Sequence, residues 1–142
     1  MAKQYRKLTD QRDHEKIENL LNQMPDYMRN YEVYLSDRTT TRTQVGYLTD
    51  LYNFFRYLSE SLVDAAIQSP ADISLSVINH LTRDDIEMYM LYLDNYTKND
   101  INRTNGRASK KRKYASISSL FRYLYNTDRI SSNIMSKIES PR

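Results

Sequence analysis

Thr41-Arg42-Thr43-Gln44-Val45-Gly46-Tyr47-Leu48-Thr49-Asp50-Leu51-Tyr52-Asn53-Phe54-Phe55-Arg56-Tyr57-Leu58-Ser59-Glu60 is the stretch that decides the fold. Val45, Leu48, Leu51 with Tyr52, Phe55 and Leu58 recur every three or four residues, the spacing of one apolar face on an α-helix. The three threonines in front of them (Thr39, Thr40 and Thr41) can each cap that helix, because a hydroxyl satisfies a backbone N–H that has no intrahelical partner. The same periodicity continues outward in both directions. Toward the N-terminus, Tyr27, Tyr31 and Tyr34 with Leu35 predict a helix from Asp26 to Leu35. Ile17, Leu20, Leu21 and Met24 predict another, which Pro25 ends.

Toward the C-terminus, residues 61–79 read as a connector or short helix. Ile73, Leu75 and Val77 do alternate, but a lone strand without a partner is unstable. A further helix begins at Thr82, with Asp85 three residues on, Leu81 and Ile86 flanking them, and Asp84, Asp85 and Glu87 where the helix dipole favours negative charge. It is expected to run to about Asn95. A polar loop from Thr97 to Ala108 with an Asn105-Gly106 turn follows. Ser109 is then read as the cap of a helix whose apolar face is Tyr114, Ile117, Leu120 with Phe121, and Leu124. A short last helix is expected from about Asn133 to Ile138. The expected architecture is all-α, a compact bundle of four to five helices, with residues 1–24 as a helical extension and residues 25–142 as the principal domain.

Composition agrees. The 142 residues include only 2 Gly and 3 Pro, too few for strand-and-turn architectures, and no Cys, so neither a disulfide framework nor a thiolate metal site is available. No apolar run approaches the roughly 18 residues of a membrane span. The basic N-terminus has no apolar stretch behind it and does not read as a signal peptide. A cytoplasmic protein without cofactor or metal is expected. The net charge is +3, but seven basic residues against one acid fall between Lys98 and Lys113. Positive charge gathered in one segment is the footprint expected of a polyanion-binding surface.

Two segments carry that expectation. In Ser109-Lys110-Lys111-Arg112-Lys113, four successive cations occupy the predicted first turn of a helix, the end at which the dipole disfavours them. Phosphate oxygens would offset that cost through backbone N–H groups and charge-assisted contacts. The plainer reading is a solvated basic face. Arg103 and Arg107 extend the segment. In Arg38-Thr39-Thr40-Thr41-Arg42-Thr43-Gln44, hydroxyls, an amide and two guanidiniums at a helix start suit phosphate and base-edge contacts, against the plainer reading of a capping cluster. The candidate DNA-binding residues are therefore Arg38, Thr39, Thr41, Arg42, Thr43, Gln44, Arg103, Arg107, Ser109, Lys110, Lys111, Arg112 and Lys113. The tyrosines read as core-edge residues. His80-Leu81-Thr82-Arg83 spells H-x-x-R but lies just before a capped helix, with no other catalytic group beside it in the sequence. No catalytic residue is assigned.

From Asp26 onward the chain resembles the core-binding domain of tyrosine recombinases, the SAM-like helical domain of phage integrases and Xer-type resolvases. The resemblance is carried by Thr41-x5-Tyr47-x3-Leu51-x2-Phe54-Phe55-x2-Leu58, by Leu81-Thr82-Arg83-Asp84-Asp85-Ile86, and by Ser109 through Ile117, Leu120-Phe121 and Tyr123-Leu124. The exit from Asn126 through Ile130 and Asn133 to Ser140-Pro141-Arg142 is similar to the linker toward a catalytic domain. Ile73-Ser74-Leu75-Ser76-Val77-Ile78 and Met90-Leu91-Tyr92-Leu93 are most similar to the single-protein Xer resolvases of low-GC Gram-positive bacteria. Two positions depart from the family pattern: Asp128 stands where Gly is usual, and Asn133-Ile134 where Asn-Pro is usual.

The resemblance implies one jaw of a C-shaped clamp around double-stranded DNA, with the helices starting near Thr41 and Ser109 facing the major groove. The other jaw would carry the Arg, Lys, His and nucleophilic Tyr of strand cleavage, so this chain is expected to be a binding module rather than an enzyme, either a piece of a longer protein or a naturally short relative. Other recombinase protomers are the implied partners in the full synaptic complex. The isolated domain is expected to be a monomer that does not engage membranes. A helical protein–protein interaction domain without nucleic-acid binding is the competing reading.

Overall fold

The computed structural model describes residues 2–99 and 106–141, with side chains described for 8–95 and 108–141. The described residues hold six α-helices: α1 (Ala2–Leu21), α2 (Tyr27–Ser36), α3 (Thr41–Ser61), α4 (Leu75–His80), α5 (Arg83–Asn99) and α6 (Gly106–Asn126). The 3-10 turns Pro70–Asp72 and Ile134–Lys137 are also found among the described residues. No strand occurs among the described residues, so the all-α expectation holds. The helices divide between two compact units, residues 1–73 and 74–142.

The first unit forms around α3. Its helix is capped by Thr40, whose hydroxyl accepts from the Thr43 N–H at 3.2 Å. The face turned to the core comprises Leu48, Leu51, Phe54, Phe55 and Leu58, each 1% exposed or less. Val45, expected on this face, is only half-buried, and Gln44 occupies its first turn instead. Against it α2 presents Tyr27, Met28, Tyr31 and Leu35, all buried. Burying a side chain of this size contributes about 1.5–3 kcal/mol. The Tyr27 ring meets Phe55 edge-on with centroids 6.2 Å apart. Its hydroxyl donates to the Ile73 carbonyl at 2.8 Å, tying down the segment that follows α3. Burial pushes this phenol's pKa far up, so it remains a donor at physiological pH. The N-terminal segment also packs here. α1 is several turns longer than its apolar periodicity indicated, and it lies against α3 with Ile17 and Leu21 buried.

In the second unit, α4 is capped by Ser74, which accepts from the Val77 N–H. Residues 61–79, read as a connector or short helix, thus hold both a 3-10 turn and a short α-helix. At the start of α5 the Thr82 N–H donates to Asp85 Oδ2 at 2.8 Å while the Asp85 N–H donates back to Thr82 Oγ1 at 3.2 Å, the reciprocal arrangement its sequence predicts. Leu81 and Ile86 on either side are both buried. α5 packs on α6 through Ile86, Tyr89 and Leu93 and through Ile117, Leu120, Phe121 and Leu124.

α6 ends in a left-handed residue. Asp128 has φ 61°, and beyond it the Arg129 and Ile130 N–H groups both return to the Leu124 carbonyl. This is the position at which the recombinase pattern has Gly, the residue without a Cβ to strain that backbone. Asn133, the other departure, caps the last 3-10 turn by accepting from the Met135 N–H.

Candidate nucleic-acid interface

The two predicted helix starts fall in different units, and the structure treats them differently. At the start of α3 most of the polar groups are bound within the protein. The Thr39 hydroxyl donates to the Leu35 carbonyl at 2.9 Å. Gln44 is 3% exposed, and its amide donates to the Thr39 carbonyl at 3.0 Å. Thr41 Oγ1 lies 3.2 Å from Asp10 Oδ1 and 3.3 Å from Asp13 Oδ2, both carboxylates of α1. The Thr43 hydroxyl accepts from that of Thr40. The Arg38 guanidinium lies over the Tyr34 ring at 3.9 Å and donates to the Tyr34 carbonyl, so it caps the end of α2. Arg42 is exposed and has no hydrogen bond or ion pair among the described residues.

The basic run on α6 is arranged otherwise. The helix begins at Gly106, three residues before Ser109, so Ser109 is not its cap. Its hydroxyl instead accepts from Lys113 Nζ at 2.7 Å. The four cations therefore occupy the second turn. The dipole cost inferred from a first-turn placement is correspondingly weaker, because the effect falls off within a turn. Lys110 pairs with Asp94 of α5 at 2.7 Å and is 22% exposed. Lys111 and Arg112 are exposed, and Lys111 forms no hydrogen bond or ion pair among the described residues. Arg103 lies outside the described residues, as does the side chain of Arg107.

Charge separates the units further. Residues 1–73 hold 9 Lys and Arg against 11 Asp and Glu, a net −2, whereas residues 74–142 hold 12 against 7, a net +5.

The H-x-x-R sequence does not assemble into a pair. The His80 ring nitrogen Nδ1 lies 2.7 Å from the Ser76 carbonyl, while the Arg83 guanidinium donates to Glu87 at 2.7 Å, a contact that raises its pKa. Sequence reasoning missed Asp10, Asp13 and Asp94, the carboxylates that engage candidate residues. The i, i+3 spacing of Asp10 and Asp13 places both on one helix face, but nothing local names the helix they meet.

The pattern of helices, with a capped start at Thr40, a reciprocal cap at Thr82 and a left-handed exit at Asp128, follows the recombinase resemblance in order along the chain. Comparison with known proteins finds relatives of the same kind. The chain is 33% identical over 112 residues to tyrosine recombinase XerS of Lactococcus lactis subsp. cremoris (strain MG1363), an alignment covering 76% of this chain and 31% of that protein. It is 36% identical over 114 residues to tyrosine recombinase XerS of Streptococcus agalactiae serotype III (strain NEM316), covering 78% and 32%.

The chain is a homologue of tyrosine recombinases. The XerS protein of Streptococcus mutans serotype c (strain ATCC 700610 / UA159) matches similarly, at 34% over 114 residues. The chain spans about a third of the length of these recombinases. No family model matches the chain, and no solved structure matches it. Among the described residues, no helix is long and apolar enough to cross a membrane.

Proposed function

We propose that this recombinase-related chain is a duplex-DNA-binding module, one half of a clamp around a recombination site, acting with other recombinase protomers. The observation that carries the reading is the basic face of α6. Lys111 and Arg112 stand exposed while Lys110 and Lys113 are engaged by Asp94 and Ser109. An exposed cation such as Lys111, which forms no hydrogen bond or ion pair among the described residues, can exchange counterions for phosphate oxygens at little conformational cost. Arg42 is the corresponding candidate at the start of α3, and the remaining hydroxyl and amide groups there support that helix start from within. Strand cleavage is assigned to residues outside this module. The homology favours this reading over that of a protein-docking domain.

The test is a fluorescence-anisotropy titration of labelled duplex DNA across a series of salt concentrations, with the Lys111→Ala/Arg112→Ala variant alongside. Saturable binding by the unmodified chain, steeply salt-dependent and weaker and flatter in the variant, is the expected result. Equal binding by both would remove α6 from the interface, and salt-insensitive binding would refute the electrostatic reading.

A further inference from the structure

One exposed cation of α6 lies well outside the basic run. Arg122 is the only Lys or Arg between Tyr114 and Asn126. It is exposed and, like Lys111, forms no hydrogen bond or ion pair among the described residues. Eleven residues separate the two, about three turns of an α-helix, which brings both side chains to nearly the same direction around its axis. Ile117, Leu120, Phe121 and Leu124, all buried, hold the side of α6 turned away from them. Ala115 lies between the two cations on their own side, so no long side chain stands between them there.

Two like charges on one side of a helix, about 16 Å apart, fit a ligand that carries anions along its length. The major groove admits an α-helix between two walls of phosphates. If α6 met DNA by its N-terminal end alone, Arg122 would stand about twice the physiological screening length from the phosphates at Lys111 and would contribute almost nothing. We propose that α6 lies lengthwise on duplex DNA over about three turns, with Arg122 as a second phosphate anchor, an assignment that rests on the reading of the Lys111 end as a DNA contact. It concerns the second unit alone.

The test is fluorescence anisotropy on two labelled duplexes of unrelated sequence, each titrated across a salt series. Arg122→Ala, with its helical circular dichroism intact, is expected to weaken both duplexes by the same factor, about threefold, and to lower the salt slope by about 1. Arg122→Lys keeps a charge for phosphate and should retain the slope. Lys137→Ala removes an equal charge from an exposed position in the last 3-10 turn and should leave the slope unchanged. An unchanged slope in Arg122→Ala beside a lowered one in Lys111→Ala would overturn the lengthwise placement while leaving the DNA reading standing. Equal losses in Arg122→Ala and Lys137→Ala would reduce the effect to net charge and overturn it too. Weakening confined to one duplex would make Arg122 a base contact and overturn the phosphate assignment. Absence of binding by the unmodified chain would overturn both readings.

Discussion

The start of α3 and the basic run of α6 look alike as sequence, both polar, basic and next to an amphipathic helix, yet they are built differently. At α3 the hydroxyls and the amide turn inward: Thr40 caps, Thr39 and Gln44 bind backbone carbonyls, and Thr41 meets the α1 carboxylates. At α6 the helix has already begun at Gly106, and the run lies along its side, leaving Lys111 and Arg112 exposed. The difference teaches that a short side chain at a helix start is readily captured by the backbone beside it. A long cation beyond the first turn, such as Lys111, stays exposed unless a partner lies within reach, as Asp94 of the neighbouring helix does for Lys110 and Ser109 of the same helix does for Lys113.

The contrast can be broken or sharpened by substitution. The largest effect is expected on the core face of α3. Phe54→Ala, at a fully buried ring, should destabilise the chain by about 3–5 kcal/mol in denaturant unfolding. A loss near zero would mean that α3 does not organise its unit. Next is the exposed pair. Lys111→Ala/Arg112→Ala should weaken duplex binding about tenfold, roughly 1.4 kcal/mol, and lower the salt slope by about 2, whereas Thr43→Ala at the α3 start should leave the slope unchanged.

Capping separates the two starts at the next scale. Thr40→Ala should cost about 1 kcal/mol, while Ser109→Ala, at a residue that caps nothing, should cost no more than about 0.5 kcal/mol. Equal losses in thermal melts would contradict the observed start of α6. Asp128→Gly should stabilise by about 0.5–1 kcal/mol, since glycine adopts positive φ without a Cβ penalty.

The smallest effect concerns Asp72. Its carboxylate accepts N–H bonds from Gln68 and Ser69, which hold its pKa below the ordinary aspartate range. A lowered folded-state pKa means that this contribution is present above the ordinary aspartate pKa and is lost as pH falls through the depressed value. Amide exchange at Gln68 and Ser69 should therefore accelerate on acidification through that range, and it should be fast and insensitive to that change in Asp72→Asn.

Much of the fold was legible in residue order. The α2 face, the Thr82–Asp85 cap, the Asn133 turn and the helical identity of α3 and α6 rest on contacts within a few residues, which local spacing encodes. Less of the site was. Thr40 as the true cap lay within the threonine cluster, but the burial of Gln44 did not show, because a polar residue on the core side of a helix start leaves no mark in the apolar periodicity. The helix α6 begins at Gly106, ahead of the Ser109 start that capping chemistry predicts, because a glycine's low helix propensity is only a weak guide to a helix boundary.

The sequence by itself determined that the chain is helical, that its positive charge gathers toward α6, and that its pattern is that of a tyrosine recombinase relative. The first two follow from side-chain period and composition, and the third from the resemblance of its motifs to those of the family. Tertiary structure alone decided which cations remain exposed and which are neutralised. Asp94 reaches Lys110 across two helices, and Asp10 and Asp13 reach Thr41 from about thirty residues away in the chain. Charge interactions depend on distance in space, and distance along the chain does not predict it.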